Sequence, residues 1–205
     1  LFRRNILDVE QVSASIAQCS EAAVTDFPPL VAVDQEGGRV ARLKSPVIAL
    51  PPMRALGDLD DVGLTQALAH TLGTQLRAIG FNMNFAPVLD VDTNPDNPVI
   101  GDRSFGRTPQ AVIRHGMAFA EGLERSGIMA CAKHFPGHGD TDLDSHLALP
   151  RLSHAMQRLE EIELAPFRAA VATNQKASLA STWRLSSIMT AHVVFDALRP
   201  ETPAT

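Results

Sequence analysis

The segment Lys133-His-Phe-Pro-Gly-His-Gly-Asp-Thr-Asp-Leu-Asp-Ser-His146 gathers three histidines, three aspartates, one lysine and two glycines into fourteen residues. Its glycines and proline predict a shaped loop rather than a helix. If Asp144-Ser145-His146 is extended, residues two apart point the same way. The Asp144 carboxylate could then hold the His146 ring, fix its tautomer and favour the imidazolium. Such a pair is a general acid/base device that works near neutral pH. The same loop admits two other readings. His134, His138, Asp140 and His146 are enough ligands for zinc or another divalent ion, although Lys133 beside His134 would repel a cation. The loop could also be a polar connection whose histidines are only hydrogen-bonded.

A second group is Asp34-Gln-Glu-Gly-Gly-Arg-Val-Ala-Arg42, a carboxylate with guanidinium groups five and eight residues on. An aspartate accepts from hydroxyls and an arginine donates two bonds in a fixed fork, which suits a neutral polyol. Asp34 and Arg42 are assigned to the site and Arg39 to an ion pair closing the turn. Arg103, in a loop bounded by Gly101 and Gly106, could add one cationic contact. His192 is expected in a strand, supporting the site from behind. His70, His115 and His154 are expected on helix faces or caps, structural or exposed.

These residues need a scaffold that brings strand ends together. A buried strand is predicted over Leu30–Val33, left through Asp34. Val62, Leu64, Leu68, Leu72, Leu76 and Ile79 recur at helical spacing, with Gly80 placed as a C-terminal cap. Phe81–Phe85 alternates as a strand should, and Asp90 and Asp92 follow it. Thr108 as N-cap and Pro109 in the first turn start a helix that runs to Gly127. Ile128–Ala132 is the next strand, closed by Lys133-His134. Ser153 is expected to cap a further helix that Pro166 interrupts or restarts, and Ile188–Val194 to be a fourth strand. Leu1-Phe2 is read as the tail of an earlier one. With units of roughly 45–60 residues and no hairpin signal, this β-α alternation predicts a parallel sheet. Polar residues then collect at the carboxyl ends of strands, where such folds place their sites.

The whole chain has 205 residues, 45% hydrophobic and 20% charged, which excludes a disordered tail, a collagen-like repeat or a coiled coil. No apolar run approaches the ~20 residues of a bilayer span, so no membrane partner is expected. Eighteen Lys and Arg against 23 Asp and Glu leave a formal net charge of -5, and no basic cluster offers nucleic acid a surface. Cys19 and Cys131 read as reduced core or near-core thiols of a cytoplasmic protein. The stretch Asn174–Ser187 is weakly patterned and holds the only tryptophan, Trp183.

Taken in order, five blocks resemble the family-3 glycoside hydrolases, and within them the bacterial β-N-acetylglucosaminidases of cell-wall recycling. They are Val33-Asp-Gln-Glu-Gly-Gly-Arg-Val-Ala-Arg42, Asn84-Phe-Ala-Pro-Val-Leu-Asp-Val, Ile100-Gly-Asp-Arg-Ser-Phe, Lys133-His-Phe-Pro-Gly-His-Gly-Asp-Thr and Asp144-Ser-His146, with Met189-Thr-Ala-His-Val as a weaker sixth. The resemblance implies a (β/α)8 TIM barrel, here as a single truncated domain over 1–205 holding about strands two to six of the eight. It implies retaining hydrolysis of a terminal β-linked N-acetylglucosamine, from the N-acetylglucosaminyl-1,6-anhydro-muramic acid unit of recycled peptidoglycan. Asp34, Arg42, Arg103, Lys133 and His134 fall on the family's sugar-binding positions. His146 falls on its acid/base, with Asp144 as partner. No metal or other cofactor is implied. The family's nucleophile is an aspartate on a later strand that none of the aspartates present matches, so these 205 residues alone are expected to be inactive. Two alternatives stand beside this reading: an inactive sugar-binding or regulatory module, and a metal-dependent hydrolase built on His134, His138 and His146.

Overall fold

The computed structural model describes residues 1–23, 27–142, 149–176 and 183–204. Its centre is a four-stranded parallel sheet ordered β1 (Ala32–Val33), β4 (Met83–Asn84), β5 (Met129–Phe135) and β7 (Ser187–Thr190). Ala32 lies opposite Met83, Met83 opposite Met129, and Cys131 opposite Ser187. Successive parallel strands require a crossover. Helix α3 (Val62–Ile79) supplies the one before β4, α4 (Pro109–Arg125) the one before β5, and α6 (Ala165–Lys176) the one before β7. The described strands make an open arc rather than a closed ring.

The helix signals act as their chemistry requires. Asp61 caps α3 by accepting from the Leu64 N–H at 2.9 Å. At its other end Gly80 takes φ +114° and donates to the Leu76 and Arg77 carbonyls. Only glycine enters that left-handed conformation without a Cβ penalty. Thr108 caps α4 through the Ala111 N–H, ahead of Pro109. Leu72 and Leu76 of α3 are buried with Val112, Phe119 and Leu123 of α4 in the main core, and Phe81, Leu89 and Phe105 fill the space toward the sheet. Two further helices flank these: α1 (Val9–Ala22) packs on α3, and α2 (Met53–Leu59) on α4 and the 3-10 turn at Gly101–Arg103. The first buries Val12 and Ile16, the second Met53 and Leu56.

Several expectations shift. A hairpin does exist: β2 (Gln35–Gly37) pairs antiparallel with β3 (Val40–Ala41), turning through Gly37 at φ +128° and Gly38 at φ +51°. The Gly-Gly pair was its sequence signal. The strand expected over Leu30–Val33 narrows to β1, because Leu30 is exposed and the Val31 N–H bonds the Asn82 side chain instead of a ladder partner. Ser153 is not a helix cap. Its hydroxyl donates to Asp196, and α5 (Met156–Glu161) starts after Ala155. Pro166 is the second residue of α6, so it restarts a helix as anticipated. The strand expected over Ile188–Val194 divides into β7 and β8 (Val194–Phe195), with His192 exposed in the bend between them. Strand β8 pairs in parallel with β6 (Arg151–Leu152) rather than with the main sheet. Leu1-Phe2 forms no strand, although the Leu1 amino group bonds the Ala32 carbonyl. Cys131 is buried as expected, but Cys19 is exposed on α1. Trp183 packs against the main core. Among the described residues, no helix is long and apolar enough to cross a membrane.

Candidate active site

A cavity of about 570 Å³ opens at the carboxyl end of the sheet, lined by Asp34, Glu36, Arg42, Arg103, Lys133 and His134 among others. All five substrate-site residues expected outside the 143–148 segment therefore meet in one place. They arrive from four separate stretches of chain. Asp34 leaves β1, Lys133 and His134 end β5, Arg42 follows β3, and Arg103 closes a short 3-10 turn at Gly101–Arg103.

The floor is a chain of alternating charge. Lys133, only 2% exposed, sends its Nζ to Asp34 Oδ1 at 2.9 Å and to Glu36 Oε1 at 2.6 Å. Arg103 grips Glu36 with both ends of its fork, Nε to Oε2 at 2.9 Å and Nη2 to Oε1 at 2.8 Å. A buried carboxylate is tolerated when it is paired and fully hydrogen-bonded, and Glu36 is. Burial pulls its pKa upward, but the charges of Lys133 and Arg103 and their hydrogen bonds prevail and hold it at about 2. The order of side chains comes from the strand: Asp34 and Glu36 are two apart and face Lys133 together, while Gln35 faces away. There Gln35 accepts from the Arg42 and Leu43 N–H groups and donates to the Leu43 carbonyl. Asn84 of β4 clamps both backbone groups of Gln35.

A second buried carboxylate, Asp90, organises the histidine side. Its Oδ2 meets His134 Nδ1 at 2.6 Å, while Oδ1 accepts from the backbone N–H groups of His134 and His138. Burial would raise the Asp90 carboxyl, yet His134 and His138 hold it below its ordinary value. The contact fixes the His134 ring and leaves Nε2 as the nitrogen for a ligand. Burial in turn lowers the His138 pKa and keeps that imidazole neutral.

The free valences suit a polyol. Among the described residues Asp34 Oδ2 is paired with Arg42, at 3.9 Å, and can accept from hydroxyls. Arg42 Nε is buried without a partner among the described residues, and a lysine Nζ engaged twice has a third donor. Arg39 instead pairs with Asp102 at 3.3 Å and bonds the Val99 and Ile100 carbonyls, a structural role as expected. Asp92 is also structural, held by Arg54 at 2.8 Å. His192 lines the same cavity rather than supporting it from within a strand. His115 is buried and structural, bonded to Thr65. Asp144 and His146 lie outside the described residues. Among the described residues, no three His, Cys, Asp or Glu side chains are grouped to hold a metal.

Sequence reading missed the roles of Glu36 and Asp90. Glu36 carried one available signal, its two-residue offset from Asp34. The grip of Asp90 on a histidine 44 positions later depends on the packing of the two strand ends.

Comparison with known proteins points the same way. A β-hexosaminidase of Neisseria meningitidis serogroup C is 39% identical over 202 residues, covering 95% of this chain and 52% of the relative. One of Nitrosomonas eutropha is 39% identical over 206 residues, covering 98% and 56%. The chain thus spans about half the length of these curated relatives. A glycoside hydrolase family 3 β-N-acetylglucosaminidase from Paenibacillus superposes with a TM-score of 0.91 at 46% identity, over 100% of this chain and 37% of that one. NagZ from Neisseria gonorrhoeae, solved with N-trifluoroacetyl-D-glucosamine, gives 0.87 at 36%, over 99% and 58%. The parallel sheet and its crossover helices are part of a TIM-barrel-like fold, unclosed among the described residues. The pattern of the glycosyl hydrolase family 3 N terminal domain matches residues 1–205, and the chain belongs to that family.

Proposed function

We propose that this chain supplies the sugar-holding part of the active site of a retaining β-N-acetylglucosaminidase, and that the full protein removes terminal β-linked N-acetylglucosamine from muropeptide fragments in the cytoplasm. The observation that carries the reading is the paired floor Asp34–Lys133–Glu36–Arg103 within one cavity. Carboxylate and cationic donors held side by side, and unable to move, recognise the vicinal hydroxyls of a pyranose. The N-acetylglucosamine assignment follows the names of the relatives and the sugar bound by the gonococcal enzyme.

Retention requires a nucleophile on one face of the anomeric carbon and a proton donor on the other. In this proposal His146, steadied by Asp144, protonates the departing oxygen as an aspartate from outside residues 1–205 attacks the anomeric carbon. His146 then takes a proton from the water that releases the glycosyl-enzyme. In the full-length enzyme His146→Gly should lower kcat/KM, which reports the glycosylation step alone, about 10²–10⁴-fold on aglycones that need protonation and far less on dinitrophenyl glycosides. Asp144→Ala should act in the same direction, more mildly. Equal losses on both substrate types would sink the acid/base role. Insensitivity to a chelator, with no zinc retained after dialysis, separates this reading from a metal-dependent hydrolase on His134, His138 and His146. Robust turnover of an aryl N-acetylglucosaminide by residues 1–205 alone would refute the external nucleophile.

A further inference from the structure

Outside the cavity, a second polar cluster brackets the segment that carries Asp144 and His146. Asp140 precedes that segment and His154 follows it, and His154 Nε2 meets Asp140 Oδ2 at 2.6 Å. An ionised carboxylate only accepts, so Nε2 carries the proton and donates. The other oxygen, Oδ1, accepts from the Thr93 hydroxyl at 2.6 Å and pairs with Arg158 at 3.1 Å. Arg158 also reaches Glu163 at 3.4 Å. Glu163 is buried beneath the Gly137 turn, where an added Cβ would stand 2.9 Å from its own. Both Asp140 oxygens are thus satisfied by protein, which makes this carboxylate a fixed point rather than a ligand-binding group.

Among the described residues, other contacts tie the two stems it joins to different parts of the molecule. Residues 138–141 are held by Asn94 and Asn97, whose side-chain amides donate to the Thr141 and His138 carbonyls at 3.2 Å and 2.8 Å. Residues 151–153 are held by β8, through the β6 pairing, the Arg151–Asp196 ion pair at 2.7 Å and the Ser153–Asp196 hydrogen bond at 2.6 Å. The Asp140–His154 contact spans the gap directly, and Thr93 and Arg158 lock it in place.

We propose that Asp140 and His154, backed by Arg158, form a positioning clamp that sets the separation of the two stems and so aims the acid/base pair between them at the glycosidic oxygen. This rests on the acid/base reading of His146 given above. None of the three side chains lines the cavity. Its loss should therefore leave sugar binding intact and misplace the proton donor, and a displacement of about 1 Å can cost about 10²-fold in rate.

The test uses the full-length enzyme with a phenyl and a dinitrophenyl N-acetylglucosaminide, and His146→Gly as reference. His154→Ala and Asp140→Asn should each lower kcat/KM on the phenyl substrate about 10- to 100-fold, through kcat with KM changed less than about 3-fold, and leave kcat/KM on the dinitrophenyl substrate nearly unaffected. His154→Gln, which places an amide donor near the Nε2 position, should recover most of the loss. Should the alanine variant fail to fold, Asp140→Asn and His154→Gln carry the comparison. Equal losses on both substrates, a rise in KM alone, or no loss would overturn the clamp while the His146→Gly result stands. A His146→Gly variant with no dependence on the leaving group would instead overturn the acid/base reading and the clamp with it.

Discussion

Glu36 is where the chain's energetics and its chemistry meet. It touches Lys133 and Arg103 at hydrogen-bonding distance while almost wholly out of water. Removing one partner of such a cluster leaves the remaining charges buried and uncompensated, which typically costs 3–5 kcal/mol. Glu36→Gln should therefore lower the unfolding free energy of the full-length protein by about 3 kcal/mol in denaturant titrations. Arg39→Ala breaks only the half-exposed pair with Asp102 and two carbonyl contacts. It should cost about 1 kcal/mol or less. Equal costs would show that the floor is no more tightly coupled than the surface. That Asp34, Arg42, Arg103, Lys133 and His134 line one cavity was legible in the sequence, through the contiguous motifs that carry them and the family those motifs resemble. Glu36 and Asp90 could not be given roles, because a supporting carboxylate is defined by what lies across from it.

The elements that carry these side chains differ in how far local sequence specified them. Helices α3 and α4 followed from apolar spacing plus caps, since both act within a few residues. Strand limits did not, because a ladder position exists only once a neighbour is present. The start of α5 failed for a similar reason: Ser153 had a better acceptor in Asp196, 43 residues away. The turn after β5 depends on one close approach. A Cβ on Gly139 would lie 1.8 Å from the Val91 carbonyl oxygen, beside Asp90. Gly139→Ala should destabilise the protein by about 1–3 kcal/mol and reduce activity with it. Gly63→Ala in the first turn of α3 meets nothing closer than Asp61 Oδ1 at 3.4 Å. It should stabilise by about 0.5–1 kcal/mol through helix propensity. Thermal melts of the two variants moving in the same direction would contradict the packing at Gly139.

At the scale of the whole molecule the buried charges predict how stability follows pH. Glu36 sits at about 2 in the fold against 4.5 as its ordinary value. Its contribution is complete above about pH 4.5 and is lost as pH falls toward 2. Asp90, also depressed, acts in the same sense below its ordinary 3.8. His138 adds to this, because burial keeps it neutral in the fold while the unfolded chain takes up a proton below 6.5. Glu163 and Glu124, raised by burial, oppose the trend: their contribution is present at low pH and lost as pH climbs above 4.5. The melting temperature of the full-length protein should fall on acidification from pH 7, most steeply below 4.5, and Glu36→Gln should flatten that lower limb. A melting temperature constant between pH 7 and 3 would contradict the paired state of Glu36.

The amino-acid order alone determined the alternation of strand and helix, the end of the sheet where polar groups gather, and the family, because caps, apolar periods and contiguous motifs are local properties of a chain. Tertiary packing decided which carboxylates oppose which cations, that Asp90 orients His134, and that Asp140 and His154 join two stems of one loop. Those contacts pair residues up to 99 positions apart. Their strength comes from removal from water, which only the assembled fold provides.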